Sequence, residues 1–358
     1  MSANVLRVLV VDDSAYNRRT IAEMLSALPG VDVVGKAADG DEALRLAATL
    51  SPDLITLDLE MPRMDGFTFL RLLMARQPTP VIVVSGYANK ENVFRALELG
   101  AIDFIAKPSR TAAGDLVSIQ AALAEKIQMV RQLAPASLAR HGSIRAGETA
   151  TQTFTLPELR NSAVARGGVP RWVVLIAAST GGPTGLLELL VRIPSSTRAA
   201  FVVAQHMPER FTRTFAERLD RLCAVRVHEA AETEVLAAGT VLVCPGGQCV
   251  DIVSRETDLV ARVGAPRPGD RYAPSADRLF ETGAQAAGDR VLAVVITGMG
   301  DDGARGVVAV KAAGGRVIAE SQESAVVYGM PAAAARTGAV DEVLTLQAMA
   351  ERLPKLTQ

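Results

Sequence analysis

Leu6-Arg7-Val8-Leu9-Val10-Val11-Asp12-Asp13-Ser14 is a short apolar run that stops abruptly at two acids and a small polar residue. Its length suits a buried strand, and the stretch after it, Tyr16–Leu28, reads as a helix. The alternation continues outward from there. Apolar runs at Val31–Ala37, Leu54–Leu57, Pro80–Val84 and Ile102–Ile105 are separated by helical stretches at Gly40–Leu50, Phe67–Arg76 and Lys90–Leu99, and Leu116–Leu133 adds a last helix. Strands and helices in strict alternation predict a parallel sheet covered on both faces, over residues 1–133.

Residues 134–169 change character, being rich in Ala, Arg, Thr, Ser and Gly with little periodicity. They read as a linker, with Leu156–Leu159 a short apolar interruption. A second α/β unit follows over residues 170–358. Strands are expected at Trp172–Ala177, Ala200–Ala204, Val291–Ile296 and Arg316–Ala319, with helices at Pro183–Arg192, Glu209–Leu222, Ser275–Ala287 and Ala304–Ala313. Between them, Val225–Val263 reads as short strands, including a hairpin around Pro245–Gly247. The whole is an open, Rossmann-like sheet with an antiparallel hairpin addition.

The chain has 358 residues, of which 49% are apolar and 22% charged, enough for each half to bury a core. The net charge of −1 gives no electrostatic reason to expect nucleic acid or an anionic membrane as partner. No helix-turn-helix with a basic recognition face is present. The N-terminus lacks the charged and apolar regions of an export signal, and no apolar run approaches the roughly 20 residues of a membrane span, so a cytoplasmic protein is expected. The three cysteines are an odd count without a Cys-x-x-Cys pair, which points to reduced thiols rather than a disulfide framework or a zinc site.

Chemistry concentrates at the ends of the strands. Asp12 and Asp13 follow the first strand, Asp58 ends the third, Ser85 ends the fourth and Lys107 follows the fifth. In a parallel sheet these residues meet at the carboxyl edge, where open α/β folds build their sites. Three carboxylates together call for a cation, and an oxygen-only donor set suits Mg²⁺. One carboxylate can then attack a phosphoryl donor while the cation and a lysine neutralise the charge that develops. Val11-Asp12-Asp13-Ser14, Asp58-Leu59-Glu60-Met61-Pro62-Arg63-Met64-Asp65-Gly66 and Lys107-Pro108 resemble the receiver domain of two-component response regulators, a flavodoxin-like fold of five parallel strands. The resemblance implies that Asp58 is the phosphoacceptor and that Asp12, Asp13 and Asp58 hold Mg²⁺. It further implies Ser85 and Lys107 as the signalling pair, Phe104 as the switch aromatic, and a cis peptide at Lys107-Pro108.

In the second unit, Trp172–Ala177 runs into Ala178-Ser179-Thr180-Gly181-Gly182-Pro183, a strand, a turn of small residues, and a helix start. Ser179 there lies near a helix N-terminus, whose free amides favour an oxyanion. The pattern resembles a nucleophile elbow, although Ala177 stands where that motif has glycine. This stretch alone fits a phosphate-binding turn or a capping serine equally well. The histidines separate the readings. His141 falls in the linker, and His228 sits beside Arg226 on the polar face of its strand, whereas His206 follows the apolar run Phe201–Gln205 at a strand's carboxyl end. A serine nucleophile needs such a base. Either Asp301 or Asp302, after the strand Val291–Ile296, could orient it, the other capping the helix that follows.

Ala178–Pro183, Gln205-His206-Met207-Pro208, Tyr272-Ala273-Pro274-Ser275-Ala276-Asp277, Thr297-Gly298-Met299-Gly300-Asp301-Asp302-Gly303 and Val327-Tyr328-Gly329-Met330-Pro331 resemble the catalytic domain of chemotaxis protein-glutamate methylesterases. With the receiver in front, the resemblance spans nearly the whole chain. It implies a Ser179-His206-Asp302 triad and no cofactor for the esterase, and backbone amides near Thr180 and Met299 are the expected oxyanion site. It also implies methylated chemoreceptors as substrate, a chemotaxis histidine kinase as phosphodonor, and a receiver that blocks the esterase until phosphorylated. Glutamine deamidation by the same route is a further expectation. Two other classes compete. A partner-binding output would leave the triad positions dispensable, and a general small-ester hydrolase would not prefer methylated receptor.

Overall fold

The structure, a computed structural model, describes residues 5–86, 90–107, 113–131, 133 and 168–358. It falls into two compact units, residues 1–152 and 153–358. Leu156–Leu159, His141, nearly all of the expected linker and the Lys107-Pro108 peptide lie outside the described residues.

The first unit runs β1 (Leu6–Val11), α1 (Ala15–Ser26), β2 (Val31–Ala37), α2 (Gly40–Leu50), β3 (Leu54–Leu57), α3 (Gly66–Arg76), β4 (Val81–Ser85), α4 (Lys90–Glu98), β5 (Asp103–Ala106) and α5 (Ala113–Val130). Its five strands are parallel in the order β2-β1-β3-β4-β5. Every residue of β3 and β4 is buried, which is why these strands are continuous apolar runs without alternation. The helices start where the sequence supplies caps. Ser14 accepts from the Asn17 amide, Asp39 from Glu42 at 2.9 Å, and Asp65 from Thr68 at 2.7 Å. The strand order reverses between β1 and β3, so their carboxyl ends open onto a crevice.

The second unit contains β6 (Trp172–Ala178), α6 (Gly182–Leu190), β7 (Ala199–Gln205), α7 (Glu209–Leu222), β8 (Arg226–Glu229), β9 (Thr233–Val235), β10 (Thr240–Val243), β11 (Cys249–Arg255), β12 (Asp258–Gly264) and α8 (Ala276–Ala287). It continues with β13 (Val291–Val295), α9 (Ala304–Ala312), β14 (Arg316–Glu320), α10 (Met330–Arg336), β15 (Glu342–Leu344) and α11 (Leu346–Leu356). Seven strands form one parallel sheet in the order β15-β14-β13-β6-β7-β10-β8. Three more, β11-β12-β9, make a small antiparallel sheet. The core lies where β6, β7 and β13 meet α8, around Val173, Leu175, Val202, Val295 and Phe280.

The expected hairpin around Pro245–Gly247 is not formed. β10 joins the parallel sheet beside β7 and β8, while β11 pairs with β12, so the hairpin turn falls between Arg255 and Asp258, with Glu256 at φ +55°. Pro245-Gly246-Gly247 is instead a crossing between the two sheets. It passes so close to the start of α7 that a Cβ on Gly246 would lie 2.6 Å from backbone atoms of Glu209 and Met207. The three cysteines are free, as expected; they are also buried, and burial pushes the Cys244 thiol well above its usual range. Among the described residues, no helix is long and apolar enough to cross a membrane.

Candidate active site

In the first unit, the carboxyl ends of β1, β3 and β5 bring Asp12, Asp13, Asp58 and Lys107 together. Carboxylate oxygens of Asp12, Asp13 and Asp58 all lie within 4.8 Å of one another. Lys107 Nζ donates to Asp58 Oδ2 at 2.5 Å and stands 2.8 Å from Asp12 Oδ2 in an ion pair without hydrogen-bond geometry. Burial pushes the Asp12 carboxyl up, against the pull of Lys107. Burial also works against the Lys107 ammonium, but the negative charges of Asp58 and Asp12 outweigh it and hold the ammonium above its ordinary range. A hard cation fits here. The donors are all oxygens, and Asp12 Oδ2 is buried with no hydrogen bond, an acceptor that a metal would satisfy.

The backbone around Asp58 is tightly set. Gly66, opening α3, lies against it so closely that a Cβ would come 2.5 Å from the Asp58 carbonyl oxygen, and Arg63 turns the loop at φ +65°. The Lys107 amide donates to the Ser85 carbonyl at 2.7 Å. Ser85 is buried, and Phe104 is buried with its ring edge-on to Phe94 of α4, the centroids 6.4 Å apart.

In the second unit, the site forms where three adjacent strands end. β6 and β7 run in register with Ala178 opposite Gln205, so Ser179 and His206 leave the sheet side by side. The His206 amide donates to Ala178 O and the Ser179 amide to Thr297 O, both at 3.0 Å, tying the three strand ends together. Ala177 is an ordinary, buried residue of β6. The sharp bend falls at Gly181, with φ +76°, where a Cβ would strike Val326 at 2.6 Å. Gly298 passes over the serine so closely that a Cβ would lie 2.8 Å from Ser179 Cβ, which brings the segment carrying Met299 to Ser179.

His206 Nε2 lies 2.7 Å from Asp302 Oδ2, and the Tyr272 ring stacks on the imidazole at 4.8 Å, nearly parallel at 8°. Asp302 is buried and held from a second side. It accepts from the Ala276 amide at 2.8 Å and the Asp277 amide at 3.0 Å, the free N–H groups at the start of α8. Burial pushes its carboxyl up, but His206 and these two amides outweigh burial and hold it below the usual carboxylate range. Asp301 is apart from all this, half-exposed and paired with Arg271 at 2.9 Å.

Neither aspartate caps the helix that follows it, contrary to the sequence expectation. The free amides of α9, at Arg305 and Gly306, are taken by Asp277 of α8, each at 2.9 Å. The two helices thus exchange caps, and their long-range pairing is invisible to a rule that looks for the cap immediately before its helix. His228, set aside on sequence grounds, pairs with Glu234 at 2.6 Å at the edge of the sheet.

The family model for the CheB methylesterase matches residues 174–353, and that for the response regulator receiver domain matches residues 8–118. The chain belongs to the CheB methylesterase family. Protein-glutamate methylesterase/protein-glutamine glutaminase 6 of Anaeromyxobacter dehalogenans is 49% identical over 97% of this CheB-family chain and 95% of its own length. The protein of the same name numbered 3 in Geobacter sulfurreducens is 44% identical over 97% of the chain and 96% of its own. Among solved structures, the Thermotoga maritima CheB methylesterase catalytic domain is 34% identical, covering 52% of this chain and 98% of that one with a TM-score of 0.50. The fold expected from the sequence is therefore that of a CheB methylesterase with a receiver domain in front.

Some residues of this CheB site escaped the sequence reading. Tyr272, Ser275 and Asp277 lie in the Tyr272–Asp277 motif, whose sequence alone assigns none of them a role. Glu320, at the end of β14, had no signal at all. It is almost fully buried, accepting from the Thr297 amide at 2.7 Å and from Ser324 Oγ at 2.8 Å.

Proposed function

We propose that this chain hydrolyses γ-glutamyl methyl esters on methylated chemoreceptors, under control of phosphorylation at Asp58. The observation that carries the reading is the His206–Asp302 pair beside Ser179 at three adjoining strand ends. The Nε2–H of His206 donates a hydrogen bond to Asp302, which leaves the lone pair on Nδ1 to take the proton of Ser179. Ser179 attacks the ester carbonyl, amides at Thr180 and Met299 receive the oxyanion, and methanol leaves with the proton from His206. Water, deprotonated by the same imidazole, then frees the glutamate. A glutamine side chain can follow the same route with ammonia as leaving group, and the relatives' names carry both activities.

The esterase half spans residues 170–358 and the receiver 1–133, joined through 134–169, in a cytoplasmic protein. In the receiver, Asp12, Asp13 and Asp58 would hold Mg²⁺, which when bound neutralises charge on the incoming phosphoryl group. Asp58 accepts that group from a chemotaxis histidine kinase, and Lys107 and Ser85 bind its oxygens. The buried ring of Phe104 responds by steric repacking, since it has no hydroxyl to bond.

The deciding experiment incubates the purified protein with receptor membranes carrying labelled methyl groups and counts volatile methanol. The expected result is release that Ser179→Ala abolishes and a small phosphodonor with Mg²⁺ accelerates. A chain that hydrolyses generic esters but leaves methylated receptor untouched would be a different hydrolase.

A further inference from the structure

Gln205 is the last residue of β7 and only 1% exposed. Its Nε2 donates to the carbonyl of Ser179 and to the carbonyl of His206, both at 2.9 Å. Two carbonyl oxygens can only be met by the NH₂ end of the amide, so its orientation is settled by its partners. The other end, Oε1, is buried with no hydrogen-bond partner. It lies over Gly182, where a Cβ would come within 2.0 Å of it. A buried acceptor left unpaired opposes folding, and a methionine of similar length would fill the same space without that cost. What glutamine supplies in exchange is a single side chain that grips the backbone of nucleophile and base together.

We infer that Gln205 is a positioning residue for acyl transfer, holding the Ser179–Thr180 peptide plane and the His206 backbone in the geometry the transition state requires. The inference rests on the reading of Ser179 as nucleophile and His206 as base. The peptide bond is planar, so fixing the Ser179 carbonyl also fixes the direction of the Thr180 amide on the far side of the same plane. The Gly182 amide donates to the same carbonyl at 2.8 Å, and the Gln205 bond removes the remaining freedom of tilt. A misdirected amide meets a planar ester almost as well as before but meets a tetrahedral oxyanion badly. The loss should therefore fall on kcat and not on KM.

The test uses the full chain with Gln205→Met, which keeps the volume, and Gly182→Ala, which expels the carboxamide from the opposite side. Methanol release from methylated receptor membranes gives kcat and KM, and phenylboronic acid, which forms a tetrahedral adduct with a reactive serine, reports on transition-state geometry. Both variants are expected to lose about 100-fold in kcat, with KM within about two-fold of wild type and boronate affinity falling in parallel with kcat/KM. Wild-type kcat in a folded Gln205→Met protein would make Gln205 mere filling and overturn the inference. So would a raised KM with kcat intact, which would place Gln205 in substrate binding. Ser179→Ala, run alongside, separates this outcome from failure of the nucleophile assignment: turnover surviving in that variant would remove the reading on which the inference stands.

Discussion

At the scale of single residues, the proposed mechanism divides the site into groups that react and groups that hold them. Ser179→Ala should lower methanol release by about 10⁴-fold or more while circular dichroism stays unchanged, as for hydrolase nucleophiles generally. Asp302→Asn should cost roughly 10⁴ in rate, because the imidazole loses the acceptor that fixes its tautomer. Asp301→Asn should leave turnover near wild type, since an exposed pair with Arg271 contributes little. Equal losses in the two would deny Asp302 its special place. Glu320 gives a pH-dependent prediction of opposite sign to the usual carboxylate. Burial pushes its carboxyl up to about 7 from the ordinary 4.5, against the pull of Ser324 and the Thr297 amide. The folded chain thus holds a proton that the unfolded chain has lost, and stability falls as pH rises from about 4.5 through about 7, by roughly 3 kcal/mol in all. Glu320→Gln, which can keep the bond to the Thr297 amide, should match wild type at pH 4 and be the more stable protein at pH 8 in urea titrations. Parallel pH profiles for the two would show that Glu320 does not titrate in this window. Ser179, His206 and Asp302 were legible in the sequence because each follows an apolar strand within a dense motif. Glu320 was not, because its burial is decided by Thr297 and Ser324 packing from other elements.

At the scale of elements, the exchange of caps makes α8 and α9 mutually dependent. Asp302 satisfies the first amides of α8 while serving His206, and Asp277 satisfies those of α9. Asp277→Ala should destabilise the second unit by about 1–2 kcal/mol through uncapped amides, and should lower activity only as far as it moves Asp302. Gly298→Ala makes a sharper demand. Its methyl would press on Met330 Sδ and on Ser179 Cβ, so the esterase should lose most of its activity for a loss of stability of about 1–3 kcal/mol. A fully active Gly298→Ala enzyme would mean that the segment can retreat from the serine without consequence. Strand and helix positions were read from the sequence to within one or two residues across most of both units. The misplaced hairpin shows where that reading fails. Pro245-Gly246-Gly247 carries every local mark of a tight turn, but its glycines serve a close crossing over Glu209, and pattern alone does not distinguish a reversal from a crossing.

At the scale of the whole molecule, the two units bring separate chemistry to one chain. Only the receiver has a cluster suited to a divalent cation among the described residues, so chelation should silence phosphorylation and leave basal esterase activity unaltered. Asp58→Asn should likewise abolish labelling from a small phosphodonor, and with it any stimulation of methanol release, while basal turnover stays at its wild-type level. Label persisting on that variant at full stoichiometry would move the phosphoryl group to another residue. The order of strands in the second sheet has a consequence for how the chain is made. β6 lies in the sheet interior, hydrogen-bonded to β7 on one side and to β13 on the other, and β13 begins only at Val291. On the ribosome, β6, β7, β10 and β8 are all synthesised before β13. At about 5–20 residues per second, one flank of β6 waits roughly ten seconds for its partner. Through that interval one edge of Trp172–Ala178, almost wholly apolar, is unpaired. The strand that leads into Ser179 is therefore an apolar segment whose pairing is completed late in synthesis.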